Sequence, residues 1–584
     1  MIRVWPAVLV VVLLASTCAV AQGQNSPKQP EKTYAVKVYY DQKIRMRDGI
    51  ELSADLYRPD AQGKYPCIVT RTPYLKGSSE LAFRIAKYFA EHGYVFVHED
   101  VRGRGDSPGT FVPYRDDAQD GYDTIEWCAA QPWSTGKVGT WGGSYTGVNQ
   151  WLAAVTQPPH LATMVVMASP SDPFVEFPTG MPIPQIISWD FATSGHVMQS
   201  GFAVDWPAVL RHLPLLTMDD ETGRRLPHWR NKVEHSPSDR FWDPERYQGK
   251  YDRVQVPVLH MSGWYDDEQI GTPLNFMGMT TKGPEAVRRS QKMIIGPWPH
   301  NLLRAQRKLG DVDFGPDAVI DFNNVMLRWY DTWLKGIDNG TTKEPPVRLF
   351  VMGENRWTDE QEWPIARACF TRYYFHSNGQ ANSVLGDGSL SPEAPGAEKK
   401  DGYAYNPAEP VPFITEATSG QVGGPDDYRS VERRNDVLVY SSEPMQNDME
   451  VCGPVKVTLD AASSAKDTDF TAKLVDVWPD GVAQRLSDGM VRARFRNGLN
   501  KEELIEPGKI YTYSINAWNT CQVFLKGHRI RLEISSSAFP KYDRNLNTGA
   551  PLGKTAEMVT AEQTIYHDSQ HPSFVELPII SLAQ

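Results

Sequence analysis

The stretch Lys137-Val138-Gly139-Thr140-Trp141-Gly142-Gly143-Ser144-Tyr145-Thr146-Gly147 ends an apolar run on a serine set among glycines. A serine hydroxyl is a weak nucleophile until a base takes its proton, and a histidine base needs a carboxylate to fix its tautomer and stabilise the imidazolium. Asp266 and His300 follow Ser144 in that order, each directly after another apolar run, Val256-Pro257-Val258-Leu259-His260-Met261 and Lys292-Met293-Ile294-Ile295-Gly296. Together the three residues could carry acyl transfer through a covalent intermediate. Asp267 and Glu268 compete with Asp266 for the carboxylate role, and Asp266 is preferred because it lies nearest the strand end.

Acyl transfer also needs donors for the oxyanion that forms on the attacked carbonyl. The backbone N–H of Tyr145, next after the nucleophile, supplies one. The loop after the third strand should supply the second, and there the hydroxyl of Tyr74 can donate; an ordinary aromatic at a strand end is the alternative reading.

The elements around these residues read as alternating strands and helices. Residues 36–40 and 44–46 alternate with the strand period, Asp48-Gly49 turns the chain, and 51–57 returns as a hairpin. A buried-type strand at 66–70, a helix at 79–92, a strand at 94–98 and a helix at 118–130 lead to the strand that ends at Ser144. Near-continuous apolar strands separated by helices predict a parallel sheet covered on both faces. Ser144 then sits on a sharp strand-to-helix turn, with Gly142 and Gly147 as the small residues that this turn demands. That is the nucleophile elbow of an α/β-hydrolase, although the second glycine falls one place late, with Thr146 where it is expected.

Residues 171–251 break the sheet pattern with a stretch rich in Trp, Pro and charge, read as a helical cap over the cleft. The predicted domains are therefore a catalytic α/β domain over 34–170 and 252–340, the cap, and an all-β C-terminal domain over 345–584. The last rests on short alternating strands with turn signals between them, a pattern that predicts a jelly-roll sandwich.

With 584 residues the chain is long enough for several domains, and a formal charge of −11 without any Lys/Arg run excludes a nucleic-acid partner. Arg3, the apolar run 7–15 and Ala19-Val20-Ala21 predict a signal peptide over 1–21, and hence a periplasmic or secreted protein. The run is too short to span a bilayer, so no stable membrane insertion is expected. Of the remaining cysteines, Cys67 and Cys128 are read as buried apolar residues, and the scattered spacing defines no disulfide framework. No H-E-x-x-H and no paired Cys/His spacing is present, so neither a metal nor an organic cofactor is expected. Gly103-x-Gly105 lacks the timely third glycine of a dinucleotide loop.

The motifs Arg71-Thr72-Pro73-Tyr74, Asp100-Val101-Arg102-Gly103-Arg104-Gly105, Gly142-Gly143-Ser144-Tyr145-Thr146-Gly147, Gly263-Trp264-Tyr265-Asp266 and Gly296-Pro297-Trp298-x-His300 together resemble the CocE/NonD hydrolases. This family holds cocaine esterase, the X-Pro dipeptidyl-peptidases and the α-amino-acid ester hydrolases. The resemblance covers roughly residues 35–575, continuing through Asp467-Thr468-Asp469-Phe470 and Gly527-His528-Arg529-Ile530-Arg531-Leu532. It implies a Ser144–His300–Asp266 triad, an oxyanion hole of Tyr74 and the Tyr145 amide, and a late glycine at Gly147 that is the family's own pattern. It further implies that Glu268 could hold a substrate ammonium group, a role weakened by Gln269 where a second carboxylate would be expected.

The predicted function is an exported serine hydrolase of an ester or amide, acting on a small molecule or short peptide. X-Pro dipeptidyl-peptidase and α-amino-acid ester hydrolase or acylase are the alternatives within the class. A carbohydrate- or surface-binding protein on an inactive scaffold is the alternative outside it, and the intact Ser-Asp-His order argues against that. Oligomeric state is left open.

Overall fold

A computed structural model describes residues 34–414 and 423–581, so the leader read over 1–21 lies outside the described residues. The first hairpin forms as expected from β1 (Val36–Arg45) and β2 (Glu51–Pro59). β3 (Tyr65–Thr72), β4 (Val95–Asp100), β5 (Ser134–Gly143), β6 (Leu161–Met167), β7 (Val258–Tyr265) and β8 (Lys292–Pro299) then build the sheet. β2 pairs antiparallel with β4, and from β4 onward the order β4-β3-β5-β6-β7-β8 is parallel throughout.

Successive side chains of these strands enter different layers, which is why their sequences are apolar without alternation. Cys67 and Val69 of β3 pack with Ile125 and Cys128 of α2 (Asp117–Ala130) and with Trp151 of α3 (Tyr145–Ala154). Ile68 faces the other way, among Ile85 and Phe89 of α1 (Glu80–Glu91) and Met326 and Tyr330 of the helix Phe322–Lys335. Trp151 and Phe89 are fully buried, each contributing about 1.5–3 kcal/mol of hydrophobic stabilisation. The free thiols of Cys67 and Cys128 are buried in this core as read from sequence, and that of Cys369 is exposed.

One boundary moves. The strand Val347–Val351, assigned from sequence to the all-β domain over 345–584, pairs parallel with β8 and antiparallel with Arg356–Glu360, extending the first sheet to ten strands. Its apolar residues Val347, Leu349 and Val351 share a core with Met293 and Ile295 of β8. An alternating strand carries no label for which sheet it will join, so the composition change at 336–346 precedes the structural one.

The cap consists of short helices: α4 (Ile186–Ala192), then Trp206–Arg211, Pro227–Glu234 and three 3₁₀ segments. It closes on its own small core of Ile187, Phe191, Val209, Met218, Trp229 and Val233.

Among the described residues beyond 367 the chain is strands with two short 3₁₀ segments, the strands hydrogen-bonded into one set of eleven. Tyr403 from one edge and Leu486 from the other lie in the same buried cluster, so the sheet wraps around a single core. Cys452 and Cys521 stand opposite each other on antiparallel strands and form a disulfide across 69 residues. Sequence spacing could not have paired them, because only the register of Met449–Ser463 against Tyr511–Phe524 brings them together. Among the described residues no helix is long and apolar enough to cross a membrane.

Candidate active site

Tyr74, Ser144, Asp266 and His300 leave the sheet at the C-terminal ends of β3, β5, β7 and β8, so parallel topology gathers residues 226 positions apart onto one edge. Ser144 has φ 57° and ψ −131°, a conformation that costs an L residue about 1–3 kcal/mol. Its N–H donates to the carbonyls of Met167 (3.1 Å) and Ala168 (2.9 Å), and its own carbonyl receives the N–H of Gly147 (2.7 Å) and Val148 (3.0 Å). The strand thus ends and the helix begins on one residue. Gly142 has φ 155°, and a Cβ there would lie 2.3 Å from Thr146 Oγ1, while one at Gly147 would lie 3.1 Å from Ser169 Cβ. Both glycines serve the turn as the sequence suggested.

His300 Nδ1 lies 2.8 Å from Asp266 Oδ1, against 3.3 Å to Asp267 and 3.8 Å to Glu268. Asp266 is further fixed by the Ser262 hydroxyl (2.7 Å) and the Glu268 N–H (3.0 Å). The geometry therefore prefers Asp266, as the strand-end argument did, and occupies Nδ1 so that Nε2 is the nitrogen left for proton transfer. Burial opposes a charge on His300, but Glu268, Asp267 and Asp266 outweigh it and raise its pKa well above the usual histidine value. Among the described residues, Asp266, Asp267 and His300 are also close enough to hold a metal ion. The second such group, Glu450 with Cys452 and Cys521, has both sulfurs spent in the disulfide.

The Tyr145 amide opens α3 beside Ser144. Its ring is stacked on Tyr114 (4.4 Å, 18°) and Trp189 (5.7 Å, 22°), and its hydroxyl donates to Asp117 (2.5 Å) and accepts the Tyr114 N–H (3.1 Å). Asp117 is paired with the buried Arg71, which also binds Glu99 (2.7 Å). This network beneath the elbow had no signal in the sequence beyond Arg71 itself. Tyr74 is held by its N–H on Thr72 Oγ1 (3.0 Å) and its carbonyl on the Ser78 hydroxyl (2.6 Å), and it precedes Leu75, which has φ 72°. Burial pushes the Tyr74 phenol up to about 12, with hydrogen bonds from Trp189 and Ser144 pulling the other way. It therefore stays protonated and able to donate at neutral pH.

Ser144, Tyr74 and Tyr145 open into a cavity of about 500 Å³ under the cap. Its walls mix apolar Phe174, Phe177, Ile183, Ile186, Trp189 and Trp242 with the carboxylates Glu176, Glu245, Asp267 and Glu268. Burial raises all four: Glu176 to about 8, Glu245 to about 7, Asp267 to about 6, and Glu268 well above its ordinary value. Glu268 Oε2 is buried without a hydrogen-bond partner. Glu268 thus stands where the sequence placed it, whereas Glu176 and Glu245 come from the irregular cap, where no periodicity marks a side chain as inward-facing. Gln269 turns away from the cavity and binds Asn519 of the all-β domain through both ends of its amide.

The family profile of the X-Pro dipeptidyl-peptidase (S15 family) matches residues 48–301, and that of the X-Pro dipeptidyl-peptidase C-terminal non-catalytic domain matches 339–576. Cocaine esterase of Rhodococcus sp. (strain MB1 Bresler) is 36% identical over 577 residues, spanning 92% of this chain and 97% of the relative. Among solved structures, an α-amino acid ester hydrolase superposes with a TM-score of 0.83 at 26% identity, covering 95% of this chain and 98% of the other. An aminopeptidase from a marine sediment Thaumarchaeota archaeon gives 0.82 at 28% identity, covering 96% and 99%. With the serine elbow among the residues lining the cavity and both profiles aligned in order, the chain belongs to the CocE/NonD and X-Pro dipeptidyl-peptidase (S15) family and is a serine hydrolase.

Proposed function

We propose that the enzyme cleaves an ester or amide through an acyl-enzyme on Ser144, with His300 as general base and acid and Asp266 as its orienting carboxylate. The observation that carries this reading is the 2.8 Å bond between His300 Nδ1 and Asp266, on the same sheet edge as the strained Ser144 turn. Ser144 Oγ attacks the carbonyl carbon while Nε2 of His300 takes its proton. The carbonyl oxygen gains negative charge and receives the Tyr145 N–H and the Tyr74 O–H. Collapse expels the leaving group with the proton from His300, and water repeats the sequence to free the acid. Tyr74→Phe removes one of two oxyanion donors, with an expected loss of about 100-fold in kcat and a small change in KM, measured on p-nitrophenyl butyrate. An unchanged kcat would remove Tyr74 from the mechanism.

The substrate we infer carries an ammonium group beside an apolar acyl side chain. A buried carboxylate without a partner is costly, and a cation entering the cavity recovers that cost. Glu268, Asp267 and Glu176 supply carboxyl groups that burial holds toward the neutral form and that an entering ammonium would draw toward the ionised one, while Phe174, Phe177 and Trp242 supply the apolar wall. The α-amino acid ester hydrolase and the aminopeptidase that superpose on this chain are named for substrates with an amino group. Comparison of phenylglycine methyl ester, Gly-Pro-p-nitroanilide and p-nitrophenyl butyrate tests the point. On the alkaline plateau, where His300 is neutral in both enzymes, Glu268→Gln should lower kcat/KM for phenylglycine methyl ester by about 10- to 100-fold and leave p-nitrophenyl butyrate within about twofold. A wild-type preference for the neutral ester, or equal losses on both, would remove the ammonium role.

The leader over 1–21 supports export, so the site of action we propose is periplasmic or extracellular.

A further inference from the structure

The cap reaches the oxyanion side of the site through one hydrogen bond that the mechanism has not used. Trp189, on α4, donates its indole N–H to the Tyr74 hydroxyl oxygen at 3.1 Å. An indole N–H can only donate, whereas a phenol has one proton and can both donate and accept. The contact therefore fills an acceptor position of Tyr74 and leaves its single proton for another atom.

Trp189 is itself held by two further contacts. The indole stacks with Tyr145, the residue that supplies the other oxyanion donor, with ring centroids 5.7 Å apart. The ammonium of Lys232 lies 5.5 Å from the ring centroid and is anchored by Asp190 at 2.9 Å. A second tie joins the same two pieces of chain. The fully buried guanidinium of Arg104 donates to the carbonyl of Pro73, next to Tyr74, at 2.7 Å, and to that of Thr193, at the end of α4, at 2.9 Å. The Tyr74 loop and α4 are thus fastened at two points.

We propose that Trp189 is a positioning residue of the oxyanion hole: its indole N–H orients the Tyr74 hydroxyl toward the carbonyl under attack, so the cap takes part in stabilising the transition state. This rests on Tyr74 being an oxyanion donor. Polarisation along Trp189, Tyr74 and the oxyanion strengthens the last hydrogen bond when charge develops there.

A double-mutant cycle tests it in the full-length enzyme, with kcat and KM on p-nitrophenyl butyrate and the inhibition constant of phenylboronic acid, whose tetrahedral adduct carries an oxygen in the oxyanion position. Trp189→Phe should lower kcat about five- to tenfold, move KM less, and weaken boronate inhibition in proportion. In the Tyr74→Phe background the same change should cost nothing further on either readout. Trp189→His, which keeps a ring N–H, should recover part of the loss when Tyr74 is present and none when it is absent. Equal losses in both backgrounds, or a loss confined to KM, would show that Trp189 only shapes the cavity and would overturn the proposal. A Tyr74→Phe enzyme with wild-type kcat would instead overturn the oxyanion reading of Tyr74, and the positioning role with it.

Discussion

Ser144→Ala is expected to abolish turnover, lowering kcat by a factor on the order of 10⁴ to 10⁶, while the fold and substrate affinity persist. The loss is large because the substitution removes the nucleophile, and water then has to attack in its place. What survives is the oxyanion hole and binding, which alone give about 10³ to 10⁴ over the uncatalysed reaction. The variant should fold because alanine keeps the Cβ and the backbone hydrogen bonds to Met167, Ala168, Gly147 and Val148 are untouched. Thermal unfolding and kinetics measured side by side check both halves. Residual kcat within tenfold of wild type would point to another nucleophile.

Asp266→Asn and Asp267→Asn should differ by orders of magnitude although the two residues are adjacent. Asp266 receives the His300 Nδ1–H at 2.8 Å, so its amide replacement favours the wrong tautomer and should cost about 10³- to 10⁴-fold in kcat. Asp267 lies farther from His300 Nδ1, at 3.3 Å, and its charge adds to that of Asp266. Three carboxylates raise the His300 pKa, and the reaction needs the neutral imidazole, so activity should rise with pH through that raised value. Removing the Asp267 charge lowers the His300 pKa. The acidic limb of kcat/KM should then move to lower pH, by about half to one unit, with a plateau within about tenfold of wild type. If Asp267→Asn is the more damaging of the two, the assignment of the orienting carboxylate is reversed.

How much was legible from sequence follows from what each residue needed. Ser144, Asp266 and His300 could be read because each follows an apolar strand, and in a parallel sheet strand ends share one edge whatever their distance in the chain. Tyr74 was readable for the same reason. The role of Trp189 was not, because it depends on how short cap helices without strong periodicity fold over the cleft. Glu176 and Glu245 carry no sequence signal for the same cause, so the sequence shows only the carboxylates after β7, whereas five, Asp172, Glu176, Glu245, Asp267 and Glu268, line the cavity. The Cys452–Cys521 bridge needed the register of two long strands, and the place of Val347–Val351 needed knowledge of which edge remained open after β8. Gln269 stands where the resemblance expects a second carboxylate, and its amide instead ties the loop after β7 to the all-β domain at Asn519.

The central claim is that Ser144 becomes covalently acylated during turnover. Rapid acid quenching of the wild-type enzyme with p-nitrophenyl butyrate, followed by peptide mass spectrometry, tests it most directly. A butyryl mass increment on the peptide containing Ser144, absent from Ser144→Ala, is the predicted result. Active enzyme with the increment on a different residue, or the same increment in Ser144→Ala, would contradict it.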